Sequence, residues 1–199
     1  MIAEGRKMSR MSSVPQKYIS PEEYLRIERA AETKSEYDDG VIYAMAGASE
    51  PHNLIVTGLL SFLRYHLPPQ CRAYPSDMKV RIFRPTRFYY PDVTIVCGQP
   101  QFDDQQRDVL LNPIVVFEVL SESTERRDRG RKFNGYQTID SLQQYVLIWQ
   151  DEYVVEHFRR DDDQWLYTAI RGLDATLPMP SANCEIPFRE IYYQVDLTA

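Results

Sequence analysis

A glutamate inside an otherwise apolar segment is the feature that most constrains this chain. Residues 114–121 read IVVFEVLS, a composition typical of a strand buried on both faces of a sheet. Glu118 is the charged exception in this run. A carboxylate buried without compensation costs several kcal/mol, so Glu118 requires a partner. An arginine in a buried ion pair and a bound cation are both compatible with the sequence.

The segments around Glu118 predict an α/β fold. An apolar face at helical spacing precedes Pro68, and Asp39-Gly40 separates two strand-like runs as in a β-hairpin. We predict a helix at 50–66, strands at 77–83, 88–97 and 114–121, and a C-terminal antiparallel meander at 143–149, 153–159 and 164–170. The expected architecture is a mixed central sheet flanked by helices. Residues 17–199 are expected to form one domain after a flexible tail at 1–16.

Composition narrows the class of protein. No apolar run approaches the roughly 20 residues of a transmembrane helix, and no secretory signal is visible, so we expect a cytoplasmic protein without a membrane partner. Cys71, Cys97 and Cys184 are widely spaced, from which we predict neither a disulfide framework nor a cysteine-based zinc site. The net charge of −6 argues against non-specific coating of nucleic acid. Residues 72–132 nevertheless carry 11 basic and 9 acidic groups, which leaves room for a basic cleft.

A second carboxylate stands at the start of the neighbouring predicted strand. Asp92 follows Tyr90-Pro91 and precedes the apolar run VTIV, although Pro-Asp at this place is also ordinary turn chemistry. Carboxylates on adjacent strands can converge on one divalent cation. Mg²⁺ prefers oxygen ligands and commonly uses one or two carboxylates together with waters and phosphate oxygens. A cation at this place also explains how Glu118 stays ionised.

A basic segment follows the strand of Glu118. Asp128, Lys132 and Tyr136 recur at a spacing of four residues, which places them on one face of a helix. Five of the seven residues from Arg126 to Lys132 are basic. One interpretation is a solvated helix face. The other is a phosphate-binding face, in which Lys132 contacts the scissile phosphate while Arg127 and Arg131 bind neighbouring phosphates.

Taken in order, these motifs resemble the Uma family of restriction endonucleases, which belongs to the PD-(D/E)XK nuclease superfamily. The resemblance lies in YPDV at 90–93, FEVLSEST at 117–124, the set Asp128, Lys132 and Tyr136, and upstream Glu36 and His52. It implies a restriction-endonuclease-like fold. It also implies a metal site formed by Asp92 and Glu118 and completed by Glu36.

One position departs from the superfamily pattern. The catalytic lysine normally follows the acid by two residues, where this chain has Leu120. The resemblance implies that Lys132 replaces it, so that Asp92, Glu118 and Lys132 form the catalytic set. Three residues are secondary candidates: His52 at a helix start and Asp77 at a turn, each with a structural alternative, and Tyr136.

The expected activity is hydrolysis of DNA phosphodiester bonds by a water activated by Mg²⁺, with Mn²⁺ as a possible replacement. A homodimer is expected, since two sites related by a two-fold axis can cut both strands of a duplex. A catalytically inert nucleic-acid-binding or assembly module on the same fold is the main alternative. Leu120 and the acidic C-terminal third favour that alternative. A small-molecule metal hydrolase is a third interpretation.

Overall fold

Residues 18–122 and 124–197 are described by a computed structural model, and the predicted tail at 1–16 lies outside them. The helices are α1 Pro21–Ala30, α2 Glu50–His66, α3 Glu125–Arg127, α4 Phe133–Tyr136 and α5 Phe188–Ile191, with a π-helical turn Asp128–Lys132 between α3 and α4. The strands are β1 Ser35–Asp38, β2 Val41–Ala44, β3 Cys71–Pro75, β4 Lys79–Phe83, β5 Thr86–Tyr89, β6 Val93–Cys97, β7 Val109–Leu110, β8 Val115–Leu120, β9 Gln144–Trp149, β10 Val154–Asp161, β11 Gln164–Arg171, β12 Thr176–Met179 and β13 Cys184–Pro187. In this part of the chain no helix combines the length and apolar character needed to cross a membrane.

Two larger sheets organise the fold, and β12 and β13 form a separate two-stranded sheet. A six-stranded sheet has the order β11-β10-β9-β8-β6-β3, and a five-stranded sheet has the order β2-β1-β5-β4-β7. Strand β8 lies inside the six-stranded sheet, parallel to β9 and antiparallel to β6. The predicted C-terminal meander is β9 to β11, whose neighbouring strands are antiparallel. The mixed α/β architecture predicted from the sequence is therefore confirmed.

The two faces of β8 contact different layers. Val115, Phe117 and Val119 pack in a core that includes α2 and α5. Val116 and Leu120 pack on the opposite side, against residues of the five-stranded sheet and of the helical segment that follows β8. Glu118 lies between them in the alternation of the strand, so its carboxylate also points toward this second layer. The fold thus places Glu118 between the two sheets.

The predicted strand at 88–97 is two strands in the structure. Strand β5 ends at Tyr89 within the five-stranded sheet, and β6 begins at Val93 within the six-stranded sheet. Residues 90–92 cross between the two sheets. Pro91 accounts for the break, because it has no N–H to donate to a sheet ladder. Asp92 therefore sits on the crossing itself, directly before the strand that neighbours β8.

The sequence predicts no disulfide framework, and the structure corrects this at one pair of cysteines. Cys71 pairs with Cys97 in the antiparallel register of β3 and β6, and the two are joined by a disulfide. Cys184 is free. The two cysteines are 26 residues apart along the chain. That spacing does not predict the bond, because it forms only where β3 and β6 pair as antiparallel strands.

Close packing of α2 on α5 gives a first testable prediction. A Cβ at Gly58 would lie 2.4 Å from the backbone oxygen of Glu190, so Gly58→Ala must separate the two helices. Overpacking of this kind costs about 1–3 kcal/mol of unfolding free energy, which outweighs the better helix propensity of alanine. Urea unfolding provides the measurement. Gly47→Ala is the matched control, because a Cβ there meets nothing within 4 Å; equal unfolding midpoints for the two variants would contradict the packing described.

Candidate active site

Glu118 lies at the centre of a buried polar cluster. All six residues of β8 are buried, and Glu118 is only 3% exposed. Its Oε1 accepts hydrogen bonds from Lys132 Nζ at 3.1 Å and from the Tyr136 hydroxyl at 3.2 Å. Both partners come from the helical segment that follows β8, as the four-residue spacing predicts. The partner of the buried carboxylate is thus a lysine rather than an arginine.

Lys132 is shared among three carboxylates. Its Nζ lies 3.1 Å from Glu36 and from Glu118, and 3.2 Å from Asp128. Lys132 is 6% exposed and ends the π-helical turn that begins at Asp128. Such turns are rare and occur frequently at functional sites. The turn presents Asp128 and Lys132 together toward Glu118.

Asp92 reaches the same region from the crossing before β6. Val93 pairs with Phe117, so continuing this register by one residue places Asp92 opposite Glu118. The Oδ2 of Asp92 accepts a hydrogen bond of 2.7 Å from the backbone N–H of Val119. The same oxygen lies 3.3 Å from Nε2 of His52. Asp92, on the crossing before β6, is therefore held opposite Glu118 of β8.

His52 belongs to the first turn of α2. Its backbone N–H donates to the Oγ of Ser49, which caps the helix, so the helix-start role considered from the sequence applies to its backbone. The ring faces Asp92, and Nδ1 is buried without a hydrogen-bond partner within the described residues.

Strand β1 contributes two more buried carboxylates. Glu36 and Asp38 are 2% and 0% exposed and lie on the same face of the strand, two residues apart. Glu36 Oε2 is 2.6 Å from Arg127, and Asp38 Oδ2 is 2.5 Å from Arg131. The two arginines predicted to bind phosphate thus contact these carboxylates. Asp38 is a site residue that the sequence interpretation missed, although its position two residues after Glu36 on a strand was a usable signal.

Asp77 lies apart from this cluster. Its carboxylate is 2.5 Å from Lys34, and its side chain is 79% exposed. It stands in the turn between β3 and β4, which matches the structural alternative considered for it. The structure brings Asp77 into contact with none of the other predicted site residues that it describes.

Burial and mutual contacts shift the pKa values of the ionisable groups in the cluster. Burial raises the pKa of Glu118 well above its ordinary value, although Lys132 acts in the opposite direction. Burial alone would lower the pKa of Lys132, but Glu118, Glu36 and Asp128 raise it well above the ordinary value, so Lys132 stays charged. Burial, followed by Glu118, raises the pKa of Tyr136 well above its usual range, which keeps its hydroxyl a donor.

The chemistry of the cluster fits a divalent cation held by two carboxylates. Asp92 Oδ1 and Glu118 Oε2 receive no hydrogen bond from the residues that the structure describes. Asp128 Oδ1 is buried and also lacks a hydrogen bond, because Lys132 approaches it outside hydrogen-bonding geometry. No group of three or more metal-ligating side chains is arranged around one point in residues 18–122 and 124–197. Magnesium does not require such a group, since it commonly retains several waters.

The mixed sheet and the buried cluster around Glu118 fit a restriction-endonuclease-like protein. The chain belongs to the Uma2 family, described as "Putative restriction endonuclease", whose model matches residues 21–187. This membership supports a nuclease function.

Two relatives are uncharacterized proteins of Synechocystis sp. The protein sll1609 is 37% identical over 163 residues, covering 81% of this chain and 92% of the relative. The protein slr1290 is 38% identical over 164 residues, covering 81% and 85%. The fold is similar to that of a "putative nuclease belonging to DUF820" from Anabaena variabilis, with a TM-score of 0.72 and 20% identity, over 87% of this chain and 97% of that chain.

Proposed function

We propose that this protein is a metal-dependent endonuclease that hydrolyses phosphodiester bonds of DNA. One observation supports the proposal: the carboxylate of Glu118 meets the ammonium of Lys132 in a buried cluster, and Asp92 stands opposite Glu118 directly before the neighbouring strand. Two acids and a lysine in such an arrangement provide a place for a cation and a positive group for a phosphate. The family membership supports the same reaction class.

Asp92 and Glu118 would hold magnesium, or manganese in its place. Each carboxylate has one oxygen already engaged and one that receives no hydrogen bond from the described residues. When bound, the cation supplies a Lewis acid that lowers the pKa of a water molecule and polarises a phosphoryl oxygen. The protein's own contribution is to orient the two carboxylates: Val119 N–H and His52 restrain Asp92, and Lys132 and Tyr136 restrain Glu118.

Lys132 takes the role of the superfamily lysine. Leu120 occupies the usual position of that residue and is 3% exposed within the core between the two sheets. Lys132 places its ammonium against Glu118 from the following helical segment. Because Lys132 stays charged, it can stabilise the negative charge that develops on the phosphate during hydrolysis.

Arg127 has the properties of a phosphate-binding residue. Its guanidinium lies over the rings of Tyr43 and Tyr89, 4.7 and 5.4 Å from their centroids. One terminal nitrogen pairs with Glu36, while Nη2 is buried without a hydrogen-bond partner in the described residues. A buried donor without an acceptor is costly unless a ligand supplies one. Arg131 is 52% exposed at its side chain and retains donors for a second phosphate.

A homodimer is the assembly we propose, formed through the outer edge of β11. This strand pairs with β10 on one side only, among the strands that the structure describes. Leu166 and Tyr167 on β11 are 39% and 56% exposed. Pairing of two such edges across a two-fold axis would continue the sheet. Sedimentation at micromolar concentration should show a species of twice 23.4 kDa, and a purely monomeric species would contradict the dimer.

Nicking of supercoiled plasmid DNA tests the proposed activity. The wild-type protein is expected to produce open circles with Mg²⁺ or Mn²⁺ and none in excess EDTA. Several plasmids of different sequence should be used, because the cleavage sequence is not fixed by the site geometry. Absence of cleavage on all of them, with the metal bound to the protein, would replace this proposal with that of an inert nucleic-acid-binding module.

A further inference from the structure

We infer that Glu36 is a positioning residue that holds Lys132 against Glu118 and anchors Arg127 beside it, and that it is not a metal ligand. The inference rests on the proposed function, because it assigns a role within the same site. The family resemblance implies a different role, in which Glu36 completes the metal site. The contacts of the three carboxylates distinguish these roles.

Both oxygens of Glu36 are engaged by the protein. Its Oε1 accepts a hydrogen bond of 3.1 Å from the backbone N–H of Tyr90 and lies 3.1 Å from Lys132 Nζ. Its Oε2 lies 2.6 Å from Arg127 Nη1. Asp92 and Glu118 differ, since each has one oxygen without a hydrogen bond from the described residues. A cation bound by Glu36 would have to displace a charged partner from it.

The contacts of Glu36 join three separate parts of the site. The residue itself belongs to β1, Tyr90 begins the crossing that carries Asp92, and Lys132 ends the π-helical turn. Arg127 forms an ion pair with Glu36 and with no second carboxylate among the described residues. Glu36 therefore fixes the place of the Lys132 ammonium relative to Glu118, and the place of the Arg127 guanidinium relative to β1.

This geometry predicts an effect on turnover that passes through Lys132. Glu36→Gln keeps the size of the side chain and an oxygen for the Tyr90 N–H, so the chain should still fold. That oxygen also faces Lys132 Nζ but no longer carries a negative charge, and the amide nitrogen takes the place of the oxygen that pairs with Arg127. Lys132 would keep Glu118 and Asp128 as charged partners but lose the third charge that sets its place between the strands. Misplacement of a catalytic group by about 1 Å can cost up to about 100-fold in rate. Binding of Mn²⁺ should change much less than cleavage.

Two measurements on the full chain test the inference. Calorimetry with Mn²⁺ alone compares wild type, Glu36→Gln and Glu118→Gln. We expect Glu36→Gln to weaken binding less than Glu118→Gln does, and Glu118→Gln to weaken it by more than about tenfold, since loss of even an outer partner of a metal ligand costs about 10–100-fold. Plasmid nicking is then measured for Glu36→Gln, Lys132→Met and the double variant. If Glu36 acts through Lys132, its substitution costs clearly less in the Lys132→Met background than in the wild type.

Two results would overturn the inference. One is that Mn²⁺ binding is lost as completely in Glu36→Gln as in Glu118→Gln. The other is that Glu36→Gln lowers the nicking rate by the same factor in the wild type and in Lys132→Met. Hydrogen exchange at residues 125–136 separates this failure from failure of the proposed function. If the wild type neither binds Mn²⁺ nor cleaves DNA, faster exchange there in Glu36→Gln than in the wild type still supports positioning. Unchanged exchange contradicts it. Should Glu36→Gln not fold, Glu36→Asp, which shortens the side chain but keeps its charge, takes its place in every comparison.

Discussion

Glu118→Gln should abolish Mg²⁺-dependent nicking of plasmid DNA while leaving the fold intact. Glutamine has nearly the same shape as glutamate, so it opens no cavity between the two sheets. It removes the anionic oxygens proposed to hold the cation, and loss of a group that stabilises the transition state costs about 10²–10³ in rate. Nicking rates under identical metal concentrations, with circular dichroism to verify the fold, provide the measurement.

The same variant should be at least as stable as the wild type when metal is absent. Burial raises the folded-state pKa of Glu118 well above its ordinary value, so its contribution to stability is present at low pH and is lost as pH rises toward that raised pKa. Glutamine does not ionise and escapes this loss. In thermal melts with EDTA, the advantage of Glu118→Gln should therefore grow from pH 4 to pH 7.

Glu32→Gln is the matched control for both measurements. Glu32 is exposed in the segment between α1 and β1, and the same chemical change there should leave nicking and melting close to wild type. Undiminished nicking by Glu118→Gln would reject a catalytic role for the buried carboxylate. A large loss of stability in EDTA would show that Glu36 and Asp128 cannot replace Glu118 as the charged partner of Lys132.

Lys132→Met should separate cleavage from metal binding. Methionine retains most of the apolar stem of lysine but removes the ammonium proposed to stabilise the phosphate. We expect nicking to fall by about 10²–10³, while Mn²⁺ binding persists because Asp92 and Glu118 are unchanged. Breaking a buried ion pair costs about 3–5 kcal/mol, so the variant should melt lower in EDTA and regain stability with Mn²⁺.

A lysine outside the cluster gives the control for this second prediction. Lys34 pairs with Asp77 and is 39% exposed, so Lys34→Met should leave the nicking rate near wild type. Loss of Mn²⁺ binding in Lys132→Met would instead make the lysine necessary for building the metal site. Undiminished nicking in Lys132→Met would show that Lys132 is not the catalytic lysine.

The centre of the candidate site was predictable because it rests on local patterns. An apolar strand interrupted by Glu118 required a partner for the carboxylate. The spacing of Asp128, Lys132 and Tyr136 predicted one face, and the structure brings that face over Glu118. No pattern in the sequence predicts the π-helical turn that carries Lys132.

Contacts between segments distant in the chain could not be predicted in the same way. The pairing of Arg127 and Arg131 with carboxylates of β1 depends on how the five-stranded sheet meets the helical segment. The Cys71–Cys97 disulfide depends on the register of two antiparallel strands. Neither arrangement is encoded by composition or by the period of apolar residues, because both depend on tertiary packing.

Titration calorimetry with Mn²⁺, on wild type and Glu118→Gln side by side, tests whether Glu118 is a ligand of the metal. We expect saturable binding to the wild type and an affinity at least about tenfold weaker in the variant, since loss of even an outer partner of a metal ligand costs about 10–100-fold. This measurement requires no knowledge of the DNA sequence that is cleaved. Equal Mn²⁺ affinity in the two proteins, or no binding to the wild type, would contradict a metal site built on Glu118.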